Sequence, residues 1–213
     1  MAPLTTLTFT VTTYTPFRVA TGSAGAGSHA VVDRQVPIPA GTIKGLMRDA
    51  ARSLLGRPEP DHPLILEVFG AEQSPGGDAG SPWHWEDVAL PGEALDVRPR
   101  TRVRIDPDTR VVVPEALMVG EEVAATSGSI EVWASGPIAV TRLDLHQALL
   151  LLSAALVEGL GSDRRAGNGW VRLAPRDATV GPEDWADRVR LLSAERAPAG
   201  HGGTPSSAFR ESL

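Results

Sequence analysis

Lys44 is the one lysine in a chain that otherwise carries its positive charge on nineteen arginines, and it sits in "VPIPAGTIKGLMRDAARSLLGR", residues 36–57. Thr42 stands where it can cap a helix, and Ile43, Leu46, Met47, Ala50 and Leu54 recur at the spacing of one apolar face. Gly56 can end that helix. Lys44, Arg48 and Arg52 then follow one another at i, i+4 and i+8 along a second face. Free backbone N–H groups at a helix start favour an anion, and Gly45 with the Pro-Ala-Gly entry removes bulk there. The residue types and their spacing suit a phosphate; a solvated basic face is the other use of the same pattern.

A second set of cations stands in "RPRTRVR", with Arg98, Arg100, Arg102 and Arg104 at every other position. In a strand this alternation puts the arginines on one face and Val103 and Ile105 on the other. "PDTR" supplies a turn and "VVV" a return strand, so the segment reads as a projecting hairpin, or as an edge hairpin whose charge prevents aggregation. Arg164 and Arg165 form a third basic site, inside the Gly-rich turn "GLGSDRRAGNGW". Trp83, Trp85, Trp133, Trp170 and Trp185 are candidates for stacking on bases, although alternation places Trp83 and Trp85 on one strand face, as core. His62, His84, His146 and His201 lack metal-ligand spacing, and neither a nucleotide P-loop nor a dinucleotide fingerprint is present.

Composition sets what must hold these groups in place. The 213 residues, 42% hydrophobic, can bury a sizeable core without disulfides, and with no cysteine thiolate metal sites are excluded. The longest apolar run, 148–157, is about half of a membrane span. The N-terminus has no basic segment followed by an apolar one, so the expected location is the cytoplasm and no membrane contact is expected. A net charge of −6 argues against a generally adhesive nucleic-acid binder. The charge is uneven, however. No acid precedes Asp33, and from Arg34 to Arg57 five basic residues face Asp49 alone. A local basic groove is compatible with an acidic total, because fields are screened within about 8 Å.

Alternating Leu7, Phe9 and Val11 with threonines predicts a first strand at about 4–14. A long Gly/Ser/Ala-rich loop over 17–41 follows, too polar for the core, then the helix just described. Residues 57–82 read as linker and loop. "WHWEDVAL", the hairpin and "GSIEVWASGPIAV" read as strands; "TRLDLHQALLLLSAALVEGLG" is a helix apolar nearly all round; a strand follows the Gly-rich turn. This order predicts an α+β fold with a ferredoxin-like or RNA-recognition-motif-like sheet, carrying an inserted β-hairpin and a Gly-rich loop. The expected organisation is one unit over 1–196, with insertions at 57–135, and a disordered tail at 197–213.

Four stretches, in order, resemble one family. "IPAGTIKGLMRDAAR", "VFG…WHWEDVAL", "RTRVRIDPDTRVV…ALMVGEEV" and "GLGSDRRAGNGWVRL" are together similar to the RAMP superfamily of CRISPR-associated proteins, nearest to the backbone subunits of type III effector complexes. The resemblance covers roughly residues 5–175. It implies a protein that polymerises along a CRISPR RNA, with the hairpin as a thumb, in contact with complementary target RNA, with other effector subunits and with copies of itself. The residues it implies for RNA contact are Lys44, Gly45, Arg48, Arg52 and Arg34 at the helix, Arg100, Arg102 and Arg104 on the thumb, and Arg164, Arg165, Gly167, Asn168 and Gly169 on the Gly-rich loop.

Target-RNA cleavage in that family uses an aspartate between strand one and the helix. The matching position here falls at Ser28 or His29, and Asp33 is the only carboxylate between Met1 and Asp49. Asp33 or His29 is therefore the candidate catalytic group, with Mg or Mn as the cofactor if target RNA is cut. The alternative is a RAMP-type endoribonuclease that processes precursor CRISPR RNA, and a third reading is a ferredoxin-like interaction module with an incidental basic helix. A subunit repeating along a guide needs two unlike surfaces, for which the 17–36 loop and the 95–113 hairpin are the free segments.

Overall fold

The computed structural model describes residues 6–20, 31–57, 59–71, 80–91, 95–176 and 182–196. Strand β1, Thr6–Thr13, alternates as the sequence requires: Leu7, Phe9, Val11 and Thr13 are buried, while Thr6, Thr8, Thr10 and Thr12 line the other face. Burying one side of a strand fixes its register, because a slip of one residue would turn Phe9 outward. β1 pairs antiparallel on one side with β5, Ser127–Ala134, and on the other with β6, Val171–Pro175. β2, Trp83–Trp85, adds to the far edge of β5, giving the order β2-β5-β1-β6.

Helix α1, Ala40–Leu54, connects β1 towards β2, and α3, Val140–Ala155, connects β5 to β6. The βαββαβ path with this strand order is the ferredoxin-like arrangement. The apolar face of α1, led by Ile43 and Met47, and that of α3, led by Leu149 and Leu150, share one core with Phe9, Ile130, Val132 and Leu173. The antiparallel hairpin of β3, Val97–Ile105, and β4, Val112–Val123, is inserted between β2 and β5 as a separate two-stranded sheet. Its turn is closed by Asp106, whose carboxylate accepts the backbone N–H of Asp108 and Thr109 at 2.9 and 2.8 Å.

Several elements differ from the sequence reading. α1 starts one turn early, with Pro39 rather than Thr42 at the cap; the Ala40 N–H donates instead to Asp87 Oδ1 at 2.7 Å. A cap supplied from 47 positions away leaves no local signal. Residues 57–82 are not all linker, since α2, Pro63–Phe69, buries Leu64, Ile65, Val68 and Phe69. Pro63 at its first turn and the His62 ring nitrogen accepting the Leu64 N–H mark its start. A fourth helix, α4, Pro182–Arg196, packs on α3 and seats Leu192 in the core.

The long loop after β1 is not simply polar surface either. Phe17, Val32 and Ile38 are buried, and Phe17 bridges Val123 at the base of the hairpin. Its middle, residues 21–30 with Ser28 and His29, lies outside the described residues, as does the tail 197–213. Among the described residues no helix is long and apolar enough to cross a membrane.

Candidate nucleic-acid interface

The start of α1 is where the sequence placed a phosphate. Lys44 is half-buried there, its ammonium 4.9 Å from the centre of the Trp85 ring, and Trp85 is stacked on Phe69 with centroids 5.5 Å apart. Burial, and next the Arg48 charge, push the Lys44 ammonium below the usual lysine range. Along the same helix the carboxylate of Asp61 draws in both arginines. Arg48 Nη2 reaches its Oδ2 at 2.9 Å; Arg52 Nε and Nη2 take Oδ1 and Oδ2 at 2.7 and 2.8 Å, a bidentate fork. The Arg52 bond first, opposed by desolvation and aided by the Arg48 bond, holds the Asp61 carboxyl down at about 2. The basic stripe predicted for this helix is thus largely neutralised by its own chain. Gly45 is exposed, and a Cβ there would meet nothing within 4 Å.

Asp33 is exposed, and its Oδ1 accepts the N–H groups of Gln35 and Val36 at 2.7 and 3.0 Å. Those two bonds, Val36 first, keep its carboxyl below the usual range. Arg34 turns away from it to Glu121 Oε1 on β4 at 2.8 Å. Among the described residues no group of three His, Asp or Glu side chains could hold a metal ion. Mg or Mn requires several oxygen donors gathered at one point, and the described residues around Asp33 do not make such a site.

The hairpin root and the Gly-rich loop are locked together. Arg18 donates through Nε to Ser162 at 3.0 Å and also pairs with Asp163, which Arg102 reaches from β3. Arg100 Nη1 bonds Glu122 at 2.8 Å and the side-chain oxygen of Asn168 at 2.5 Å, while Asn168 donates to Glu122 at 3.2 Å. Backbone geometry holds the loop as tightly. Gly161, at φ 72°, lies so close to Arg18 that a Cβ would stand 2.1 Å from its carbonyl oxygen, and at Gly169, φ 71°, it would stand 2.0 Å from that of Leu160. Arg100, Arg102 and Asn168 are therefore joints between thumb and loop, whereas Gly167, also at positive φ, faces open space.

Beyond that joint the loop presents cations without such partners. Arg164 and Arg165, on a 3-10 turn, are exposed, as are Arg104 near the hairpin tip and Arg172 on β6, and none of the four has a carboxylate partner among the described residues. Arg164 and Arg165 line a cleft of about 410 Å³ with Glu158, Gly159, Asn168 and Trp170. Trp83 and Trp85 are core, 2% and 4% exposed; Trp170 is 60% exposed. Tyr14, which the sequence reading passed over, is 59% exposed beside it. Continuing the alternation Thr8, Thr10, Thr12 by one step would have put Tyr14 on that face.

A comparison with protein families matches residues 10–172, well over half of the chain, to the RAMP superfamily. No curated protein matches. Among solved structures the chain is similar to one from the type III-B Cmr-beta complex in its apo state, at 13% identity and a TM-score of 0.63, covering 81% of this chain and 98% of that one. It is also similar to one from type III-B Cmr-beta bound to cognate target RNA, at 13% identity and a TM-score of 0.57, covering 80% and 96%.

Proposed function

This chain belongs to the RAMP superfamily, and on that premise we propose that it is a guide-RNA-binding subunit of a type III CRISPR effector complex. The observation that carries the reading is the Gly-rich loop with Arg164 and Arg165 exposed and unpaired, in an acidic chain that matches most of its other arginines with carboxylates. A cation left in water next to an aromatic cleft contributes little to folding. It is available to a phosphate, for which guanidinium geometry is well suited. The fold likeness to chains of Cmr-beta complexes, one of them bound to target RNA, supports the same class of partner.

In this role the free arginines grip the guide's backbone and the thumb projects between neighbouring units. The partners are CRISPR RNA, complementary target RNA, other effector subunits and further copies of the chain. Lys44 adds a phosphate contact at the start of α1, where Gly45 leaves room for the backbone of the guide. Binding does not require Asp33. Target-RNA cleavage by Asp33 or His29 is a separate proposal, and Asp33→Ala separates it, leaving affinity intact while abolishing any cut.

Titrating the purified chain with guide-length single-stranded RNA over a salt series tests the binding role. Replacing both Arg164 and Arg165 by alanine should weaken binding at every sequence alike and flatten the log–log salt slope by about 0.7 per lost phosphate contact. The melting curve should hardly change, since exposed substitutions stay within about 0.5 kcal/mol. Absence of RNA affinity at low salt, both alone and with partner subunits, would overturn the reading.

A further inference from the structure

We infer that Tyr14 and Trp170 form a stacking platform for unpaired nucleobases at the end of the sheet face that the helices do not cover. The inference rests on the RNA-binding reading and adds to it the part of the nucleotide that this surface takes.

The backbone sets the two residues opposite each other. β1 and β6 pair with Thr12 opposite Arg172 and Thr13 opposite Val171, so the next step sets Tyr14 opposite Trp170. Their backbones are bonded there, the Tyr14 N–H donating to the Trp170 carbonyl at 2.8 Å and the Trp170 N–H to Thr15 Oγ1 at 3.0 Å. Opposite residues in an antiparallel pair project to the same face, and alternation puts Thr12 and Arg172 on that face too. Thr13 and Val171, one step along, point into the core.

Two large aromatic side chains, each more than half exposed, are thus carried at facing positions of neighbouring backbone segments. The other four tryptophans are buried or half-buried. What surrounds the pair identifies the occupant. Arg164 and Arg165 line the cleft against Trp170, and Arg172 lies one step down the face from it. The one acid of the cleft, Glu158, repels a phosphate from its own wall. A chain of phosphates is thereby directed to the arginine side, which leaves the attached ring facing the indole. Aromatic faces flanked by cations accept any base, since every base has a π-face, and a duplex cannot use them because its bases are already stacked. A segment of single-stranded RNA whose bases are turned out is the ligand this surface fits.

The test compares two synthetic oligoribonucleotides of equal length and charge, one with all its bases and one with a run of abasic ribose-phosphate positions, using the full chain. Wild type should bind the complete strand at least about tenfold more tightly, in line with the stacking contribution per base. Tyr14→Ala and Trp170→Ala should each remove most of that preference while keeping the affinity for the abasic strand, and Trp170→Phe should retain it. Equal affinity of wild type for both strands would overturn the platform and leave the RNA-binding reading standing. Failure to bind either strand at low salt, both alone and with partner subunits, would overturn both. Loss of affinity for both strands alike in the alanine variants, with an altered melting curve, would make the rings structural and overturn the platform as well.

Discussion

The start of α1 and the Gly-rich loop carry similar numbers of cations and treat them in opposite ways. On α1 the chain answers each charge with a group of its own: Asp61 for Arg48 and Arg52, the Trp85 face for Lys44, Asp87 for the first free N–H. At the loop the inner cations, Arg18, Arg100 and Arg102, are answered in the same manner, but Arg164 and Arg165 are left to solvent. A basic residue in a sequence is therefore two different objects. One is a strut whose partner lies elsewhere in the chain, and the other is a contact point whose partner lies outside it.

The largest effect expected from breaking this contrast comes from Gly161→Ala. The new Cβ would meet the Arg18 carbonyl oxygen in a backbone conformation that L side chains rarely adopt, and neither neighbour is a flexible side-chain end that could give way. A loss of about 3 kcal/mol or more is expected in chemical denaturation, with the loop detached from the hairpin root. Unchanged stability would mean that the joint is looser than its contacts imply.

Next in size is Asp61→Asn, which removes the carboxylate that Arg48 and Arg52 share; a loss of about 2 kcal/mol is expected by the same measurement. Its counterpart in pH has a definite sign. The Asp61 carboxyl falls from 3.8 to about 2 on folding, so its contribution is complete above about pH 4 and is lost as pH falls through 2. In the Asn variant that part of the acid limb should vanish. If RNA affinity also rises in Asp61→Asn, the α1 arginines have changed from struts into contact points, which sharpens the comparison.

The smallest effect belongs to Lys44→Ala, with about 1 kcal/mol of stability lost along with the ammonium–indole contact. Its effect on RNA affinity should be smaller than that of replacing Arg164 and Arg165. The reverse order, measured on one RNA at one salt concentration, would make α1 the main grip and the comparison false.

What the sequence made legible was periodic. The alternation in β1, the helical spacing of α1 and the continuous apolar run of α3 each point to one element, because burial imposes its repeat on the residues; the hairpin, whose Val103 and Ile105 are exposed, was legible from its alternating arginines and its turn. α2 and α4 escaped for different reasons: α2 is only seven residues long in a turn-rich stretch, and α4 has a mostly polar surface with Leu192 its one fully buried apolar residue among those described. The sites were legible as residue types and not as roles. Lys44 and the arginines of the hairpin stood out, but whether each was a strut depended on Trp85, Asp61, Asp163 and Glu122, none of them a local neighbour. Tyr14 was one alternation step beyond a strand already recognised.

The central position of β1 bears on the order in which the molecule assembles. β1 is complete at Thr13, yet its partners Ser127–Trp133 and Val171–Pro175 lie more than a hundred residues downstream. At ribosomal rates of about 5–20 residues per second, the strand waits on the order of 6–20 s with both edges unpaired. The hairpin β3–β4, whose ends are 26 residues apart, closes by local contacts as soon as it emerges. Threonine at every outward position of β1 makes the waiting strand half polar, which limits sticking to other nascent chains. Pulsed hydrogen exchange during refolding should accordingly find the amides of the thumb protected before those of β1, so that the projecting part is finished first and the central strand of the sheet is locked in last.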